Sequence, residues 1–312
     1  AGLGCRGSSL CFRIKACVLV VMQMMSSTVV VALIFVAEAV PTVKLNNGVD
    51  MPILAFGAQV WDADTCTNAT AAALKAGFRF IWSSMLIGSP CQAAQWKAIQ
   101  ASSVALSDIF VGGTVNTQSC MGTTDCYLQT KAGAKSQFQI LAKKPLDMLM
   151  LDYPSGSAGC DGILGQWKAF EEFYAAKQVK TIAVSNFSPE QLKCISMNAS
   201  ATVPSVNQMP FSIGHGTDTV IADDGVLGVF VQAYSPLSGV DSSDALLAKI
   251  GSAHNKSWAQ VALRWIAQRN ATISTQSTKL GHLQEDVDIF DFTLSSEEMM
   301  QLNAHSQKYI VV

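Results

Sequence analysis

The chain has 312 residues, of which 49% are hydrophobic and 14% are charged, and its net charge is −2. This length suits one large domain or two small ones, and an α/β barrel of this size needs no division. The sequence has no basic stripe, no nucleic-acid-binding motif and no His or Cys pair at metal-ligand spacing, which argues against a nucleic-acid partner and against a metal site.

Residues 1–39 have the pattern of a leader rather than of a folded domain. Basic residues precede an apolar stretch over Ala16–Val36, and Ala37-Glu38-Ala39 then supplies the small-x-small pattern that a signal peptidase reads. The chain starts with Ala, and translation from Met24 would leave a compact signal peptide. We therefore expect a domain over 40–312 that is secreted or lies in the lumen of an organelle. The alternative is a retained membrane anchor, because the apolar stretch approaches the roughly 20 residues that span a bilayer.

The cysteines and glycosylation motifs agree with a secretory route. Six cysteines follow the leader, at Cys66, Cys91, Cys120, Cys126, Cys160 and Cys194. An even number favours disulfides, of which 15 pairings are possible, although buried free thiols are the common alternative. We expect the Cys120–Cys126 pair, because it closes a short loop that contains glycine. Acceptor motifs for N-glycosylation occur at Asn68, Asn186, Asn198, Asn255 and Asn270.

The elements after the leader alternate between strand and helix. Val43–Leu45 and Met51–Ile53 flank an Asn-Asn-Gly turn, which predicts a β-hairpin. Eight β-branched runs follow, each separated from the next by a helical stretch: Leu54–Gly57, Phe78–Ser83, Ile109–Thr114, Asp147–Tyr153, Thr181–Ser185, Ser205–Met209, Val229–Ser235 and Thr272–Ser277. This order predicts an α/β fold, a (β/α)8 TIM barrel with an N-terminal β-hairpin.

Two of the predicted helices carry aromatic residues at helical spacing. Trp167, Phe170 and Tyr174 fall on one stripe, and Trp258 and Trp265 fall on another, behind a capping serine. We interpret these aromatic residues as core.

Short motifs stand where the later strands end, which is the face that carries the active site of such a barrel. They read Val184-Ser-Asn-Phe, Val206-Asn-Gln, Ala233-Tyr-Ser-Pro-Leu and Ser277-Thr-Lys. Together with the opening Lys44-Leu-Asn-Asn-Gly, this ordered set resembles the aldo/keto reductase family, whose members bind a nicotinamide dinucleotide on the barrel. The likeness runs from about Val43 to Ser306.

The resemblance implies NADP or NAD as cofactor and assigns residues to it. Ser185, Asn186 and Gln208 match the positions that hold the nicotinamide carboxamide, and Tyr234 matches the tyrosine that stacks on the ring. The remaining matches are Ser235 and Leu237 beside the pyrophosphate, and Ser277 and Glu285 on the phosphate and adenine side. The alternative is that these residues only keep the loops in shape, since Asn and Ser-Pro commonly form turns.

Two positions depart from the family at the phosphate end. Gln276 stands where the family has a lysine, and His282 stands where it has the arginine that binds the 2′-phosphate. Because each charged hydrogen bond contributes roughly 1.5–3 kcal/mol, we expect weakened NADP binding.

The four positions that match the catalytic groups of the family also differ. Trp82 replaces an aspartate, Ile87 a tyrosine, Thr114 a lysine and Asp152 a histidine. Reduction of a carbonyl builds negative charge on oxygen and needs a proton donor or a positive field. We therefore expect a catalytically impaired pseudoenzyme, a binding or structural protein built on the barrel.

The main alternative is an NAD(P)H-dependent oxidoreductase that reduces carbonyl compounds with a rebuilt site, in which burial keeps Asp152 protonated. Chemistry unrelated to the family, with Asp152 as base or nucleophile, is a third alternative. Strand alternation predicts that Tyr153 faces away from Asp152. The loop that covers the substrate pocket in the family is expected to be short or missing, and a membrane partner is expected only if the leader is retained.

Overall fold

The computed structural model describes residues 40–197, 202–215, 221 and 224–306. The chain opens with an antiparallel hairpin of β1 (Thr42–Lys44) and β2 (Asp50–Pro52), as predicted. Buried side chains of this hairpin, among them Val43 and Met51, pack against Phe80 and Phe110. Because these two phenylalanines begin barrel strands, the hairpin closes the amino-terminal end of the barrel.

Eight parallel strands form a closed barrel, which confirms the predicted (β/α)8 fold. They are β3 (Leu54–Gly57), β4 (Phe80–Ser83), β5 (Phe110–Asn116), β6 (Leu146–Asp152), β7 (Val179–Ser185), β8 (Val206–Pro210), β9 (Phe230–Tyr234) and β10 (Thr272–Thr275). They follow chain order around the barrel, and β10 closes it against β3. Observed and predicted boundaries differ by no more than two residues at either end of any strand.

Helices surround the barrel. They are α1 (Ala63–Ala76), α2 (Ser89–Ala101), α3 (Gly122–Leu141), α4 (Asp161–Ala175), α5 (Pro189–Ser196), α6 (Ala245–His254), α7 (Trp258–Gln268), α8 (Leu280–Val287) and α9 (Ser296–Ser306). Ser257 begins α7 through a capping box with Gln260, which confirms the capping serine. A short 3-10 helix over Met85–Ile87 follows β4.

The main core lies between the barrel and these helices. Trp167, Phe170 and Trp265 are buried there, and Trp265 stacks on Phe211 with ring centroids 5.3 Å apart. Tyr174 and Trp258 are half-buried and pack against the same cluster. The interpretation of these aromatic residues as core is confirmed.

Three disulfides pair all six cysteines of the described residues. Cys120–Cys126 forms as expected, and the other two pairs are Cys66–Cys91 and Cys160–Cys194. Cys66, Cys91 and Cys126 lie near the first turns of α1, α2 and α3, Cys160 directly precedes α4, and Cys194 lies near the end of α5. Since helices of a β/α barrel begin at the face where the strands end, the cysteines at the helix starts lie near that face, on the α1–α4 side of the barrel.

The described helices include none that is both long and apolar enough to cross a membrane. The leader over 1–39, with its alternative as an anchor, lies outside the described residues, as does the sequon at Asn198.

Candidate functional site

A cavity of about 210 Å³ opens at the carboxyl ends of the barrel strands. Five of the predicted cofactor residues line it, namely Ser185, Asn186, Gln208, Tyr234 and Ser235, together with Trp82 and Asp152 from the predicted catalytic positions. A larger groove of about 560 Å³ runs between α1 and α2 at the opposite end of the barrel, and no predicted site residue lines it. The smaller cavity is therefore the candidate site.

Asp152 is the last residue of β6, and its side chain is buried at the cavity wall, with 7% of the residue exposed. Ser84 donates a hydrogen bond from Oγ to Asp152 Oδ2 at 2.9 Å. Thr114 Oγ1 in turn donates to Ser84 Oγ at 3.4 Å and accepts from the backbone of Met85 at 3.0 Å. Burial raises the pKa of the Asp152 carboxyl, and the hydrogen bond from Ser84 acts against that shift.

Tyr153 lines the same cavity as Asp152, so the prediction that it faces away was wrong. The strand ends at Asp152, and Tyr153 has a φ of 69°, in the left-handed region. The alternation of side chains holds only along extended backbone, and it ends here. Asn186 and Ser235 follow β7 and β9 with φ values of 63° and 50°, so three strands end in the same manner.

The predicted nicotinamide-binding residues form a chain of hydrogen bonds across the cavity wall. Tyr234 Oη donates to Asn186 Oδ1 at 2.9 Å, and Asn186 Nδ2 donates to Ser185 Oγ at 2.9 Å. Ser185 Oγ donates to the backbone oxygen of Gln208 at 3.1 Å, and Gln208 Nε2 donates to Gln232 Oε1 at 2.7 Å. Burial raises the pKa of Tyr234 to about 12, and the neighbouring Tyr153 and Asp152 add to the shift.

Trp82 forms the opposite wall of the cavity. Its indole Nε1 donates to Ser274 Oγ on β10 at 2.8 Å, so the ring crosses over β3. Gly57 on β3 allows this close approach, because a Cβ at that position would lie 2.9 Å from the indole. Trp82 therefore fills the space above β3 with an aromatic ring.

The other two predicted catalytic positions lie outside the cavity. Ile87 packs in a small apolar cluster with Ala58, Cys66 and Cys91, beside a disulfide. Thr114 is buried behind Ser84 and reaches Asp152 only through that hydroxyl. The structure thus brings together Trp82 and Asp152, and separates both from Ile87.

Of the residues predicted on the phosphate and adenine side, Ser235 lines the cavity, whereas Leu237, Ser277 and Glu285 do not. Leu237 packs against the main core. Ser277 Oγ accepts from the backbone of Lys279 at 3.0 Å, and Glu285 accepts from Ser257 Oγ at 3.3 Å. Of the two departures from the family, Gln276 lines the cavity and His282 is exposed on α8.

Sequence reasoning missed Ser84, Leu86 and Ser274, which also shape the site. Ser84 caps the 3-10 helix by accepting from the backbone of Leu86. A serine directly before an apolar run is a capping signal, so the sequence held a cue for Ser84. Nothing comparable marks Leu86 or Ser274, whose placement depends on barrel geometry.

The donor set of the cavity fits the nicotinamide end of a dinucleotide. A carboxamide needs both donors and acceptors, and Ser185, Asn186 and Gln208 supply hydroxyl and amide groups side by side. No described residue donates to the side-chain oxygen of Gln208, which leaves it available to an amide N–H. The fit is poorer at the phosphate end, where Lys279 and His282 are exposed and lie outside the cavity.

Comparison with known proteins agrees with this geometry. The family model described as "Aldo/keto reductase family" matches residues 55–307. A glyoxal reductase of Bacillus subtilis is 31% identical over 265 residues, which cover 84% of this chain and 92% of that protein. The aldo/keto reductase structure from Brucella melitensis is 29% identical with a TM-score of 0.78, covering 86% of this chain and 98% of that one.

A more distant structure, a Bombyx mori aldo-keto reductase in complex with NADP, shares the fold with a TM-score of 0.75 at 22% identity, covering 86% of this chain and 94% of that one. The family match spans most of the chain, and it includes the strand ends that form the cavity. The chain belongs to the aldo/keto reductase family.

Proposed function

We propose that this protein is an NAD(P)H-dependent oxidoreductase that reduces a small carbonyl compound at the cavity above the barrel. The observation that carries the proposal is the position of Asp152, a buried carboxyl with a raised pKa, in the cavity that holds the nicotinamide-binding set. Because burial raises its pKa, this carboxyl retains its proton to a higher pH than an exposed one and can act as a general acid. The similarity to a glyoxal reductase supports a small carbonyl substrate.

Each residue has a role in this reaction. The reduced dinucleotide, when bound, supplies the hydride to the carbonyl carbon. Asp152 gives its proton to the carbonyl oxygen and becomes a carboxylate. Ser84 then stabilises that carboxylate through its 2.9 Å hydrogen bond, and Thr114 holds Ser84 in place. Ser84 and Thr114 are positioning residues.

Two other residues favour NAD over NADP. Gln276 stands in place of the family's phosphate-binding lysine, and His282 stands in place of its arginine, so neither position offers a permanent positive charge. Each missing charged hydrogen bond weakens binding by roughly 1.5–3 kcal/mol. We expect NADH to bind more tightly than NADPH.

The first test is titration with NADH and NADPH, followed by the quenching of tryptophan fluorescence, since Trp82 lines the cavity. Turnover of glyoxal is then compared between the parent protein and Asp152→Asn. Loss of a general acid typically costs about 10²–10⁴ in rate, and we expect a fall of that size. Asp108→Asn, an exposed acid far from the cavity, is the matched control and should leave turnover unchanged.

Turnover should also depend on pH through Asp152. The proton donor works only while it is protonated, so the rate of reduction should decline as pH rises through the raised pKa of Asp152. A rate that is equal in Asp152→Asn and the parent protein would contradict the assignment of the proton donor.

A second candidate is a dinucleotide-binding barrel that has lost its turnover. It is favoured by Ile87, which packs beside a disulfide instead of offering a hydroxyl to the cavity. Among the residues that the structure describes, no Lys, Arg or His lines the cavity to hold a developing negative charge. Saturable binding of NADH with no turnover of glyoxal or other common aldehydes would select this candidate.

We also propose that the protein works in an oxidising compartment, secretory or lumenal. Three disulfides support this, because such bonds persist outside the reducing cytosol. Asn68, Asn255 and Asn270 are exposed and open to glycosylation, whereas the amide of Asn186 is hydrogen-bonded within the cavity. A secreted product that begins at Val40 and shifts in mass on glycosidase treatment is expected; a cytosolic product with free thiols would refute this location.

A further inference from the structure

The cavity wall combines aromatic rings with a carboxyl group and has no cationic side chain among the described residues. Three aromatic residues line it, Trp82, Tyr153 and Tyr234, each on a different strand end. The buried carboxyl of Asp152 lies among them. In the part of the chain that the structure describes, no cationic side chain lines the cavity to offset that carboxyl. Beside the neutral hydroxyl and amide groups already described, the wall therefore presents to a ligand one carboxyl and three aromatic rings.

Such a wall attracts organic cations. The face of an aromatic ring carries negative potential, and a cation placed over it is stabilised most when water is excluded. No aromatic pair among the described residues includes any of these three rings, although the Trp82 indole lies close against Gly57. A carboxylate in the same cavity adds a full negative charge, which attracts the cation further.

We propose that the cavity is selective for organic cations of the pyridinium type, with Asp152 as the counter-ion and Trp82, Tyr153 and Tyr234 as the aromatic wall. This inference rests on the proposed function in one respect. If a nicotinamide binds here, its oxidised form, which is a cation, binds more tightly than its neutral reduced form.

The charge balance of the proposed reaction agrees with this selectivity. Before reaction the nicotinamide is neutral and Asp152 is protonated, so the cavity holds no net charge. Transfer of a hydride and a proton to the carbonyl carbon and oxygen leaves a pyridinium and a carboxylate, which form an ion pair. The site is thus neutral before and after the reaction, without a cationic side chain.

The inference is tested by two ligands that differ in charge but share a carboxamide. Binding of 1-methylnicotinamide, a cation, and of nicotinamide, which is neutral, is measured by calorimetry on the disulfide-bonded protein at pH 8. We expect the cation to bind at least about tenfold more tightly. Choline against its neutral isostere 3,3-dimethyl-1-butanol should show the same preference without a carboxamide.

Variants separate the counter-ion from the aromatic wall. Asp152→Asn should reduce the ratio of the two affinities by about threefold or more, and the aromatic wall accounts for the preference that remains. Tyr153→Phe keeps a ring and should keep the preference, whereas Tyr153→Leu, at the same left-handed position, should reduce it by about threefold or more. Circular dichroism of each variant checks that it is folded.

The outcomes separate this inference from the proposed function. Equal affinities for the two ligands, no saturable binding of either, or a preference that is unchanged in Asp152→Asn would overturn the inference, even if NADH binds and turns over. Selective binding of both cations without any binding of NADH or NADPH would support the inference and refute the proposed function.

Discussion

Asp286 is a buried carboxyl outside the cavity whose pKa is strongly raised. It lies on α8, is 8% exposed, and burial raises its pKa to about 7 from the ordinary 3.8. Its neighbour Glu285 adds to the shift. Because the folded protein holds this proton more tightly than the unfolded chain, stability falls as pH rises between about 4 and 7.

Asp286→Asn should therefore stabilise the protein at pH 8. The difference between the ordinary pKa of 3.8 and the raised pKa of about 7 corresponds to a loss of about 4 kcal/mol in the free energy of unfolding when Asp286 ionises. The amide avoids this loss, so the variant should unfold at a higher urea concentration at pH 8, with little difference at pH 4. Urea denaturation at both pH values measures this. An equal gain at pH 4 and pH 8 would show that ionisation of Asp286 is not the cause.

At the level of residues, the sequence predicted which side chains gather but not how each is aimed. Ser185, Asn186, Gln208 and Tyr234 meet in one cavity because they end adjacent strands, and chain order alone places them there. Tyr153 was misplaced because its left-handed backbone leaves no mark in a Tyr-Pro dipeptide. The hydrogen bond from Trp82 to Ser274 joins residues 192 positions apart, beyond the reach of local patterns.

Elements were more predictable than residues. The eight strands are short β-branched runs between helical stretches. Short apolar runs and the helical repeat of apolar residues are both strong signals in a sequence. The largest errors in strand bounds are two residues, in both directions: β5 extends to Asn116 rather than ending at Thr114, and β10 ends at Thr275 rather than at Ser277. Two of the three disulfides join different helices, and their pairing needs the three-dimensional arrangement.

Close packing between α3 and α4 yields a prediction about glycine. A Cβ on Gly165 in α4 would lie 2.1 Å from the carbonyl oxygen of Thr123 in α3. Gly165→Ala should therefore destabilise the protein by roughly 1–3 kcal/mol, as overpacking does. Gly281→Ala in α8, where nothing lies within 4 Å of the added Cβ, is the matched control and should be neutral or stabilising by about 0.5 kcal/mol. Thermal unfolding of the two variants measures the contrast, and equal melting temperatures would contradict it.

For the whole molecule, the disulfides should differ in their contribution to stability. Cys160–Cys194 closes a separation of 34 residues, and Cys120–Cys126 closes one of 6. Loop entropy in the unfolded chain predicts contributions of about 4 and about 2 kcal/mol respectively. The double serine variant of each pair, studied by urea denaturation, should show the larger loss for Cys160 and Cys194. A larger loss for the 120–126 pair would mean that loop entropy is not the dominant cause.

The two ends of the barrel are stabilised in different ways. At the amino-terminal end, the β1–β2 hairpin packs against the barrel, and the buried Asp147 forms ion pairs with Lys143 and Lys180. At the cavity end, Cys66–Cys91 joins α1 to α2, Cys120–Cys126 closes the loop that leads into α3, and Cys160–Cys194 joins the start of α4 to α5. These bridges lie on the side of the barrel that carries Trp82 and Asp152. Their support for that side would be lost wherever thiols stay reduced.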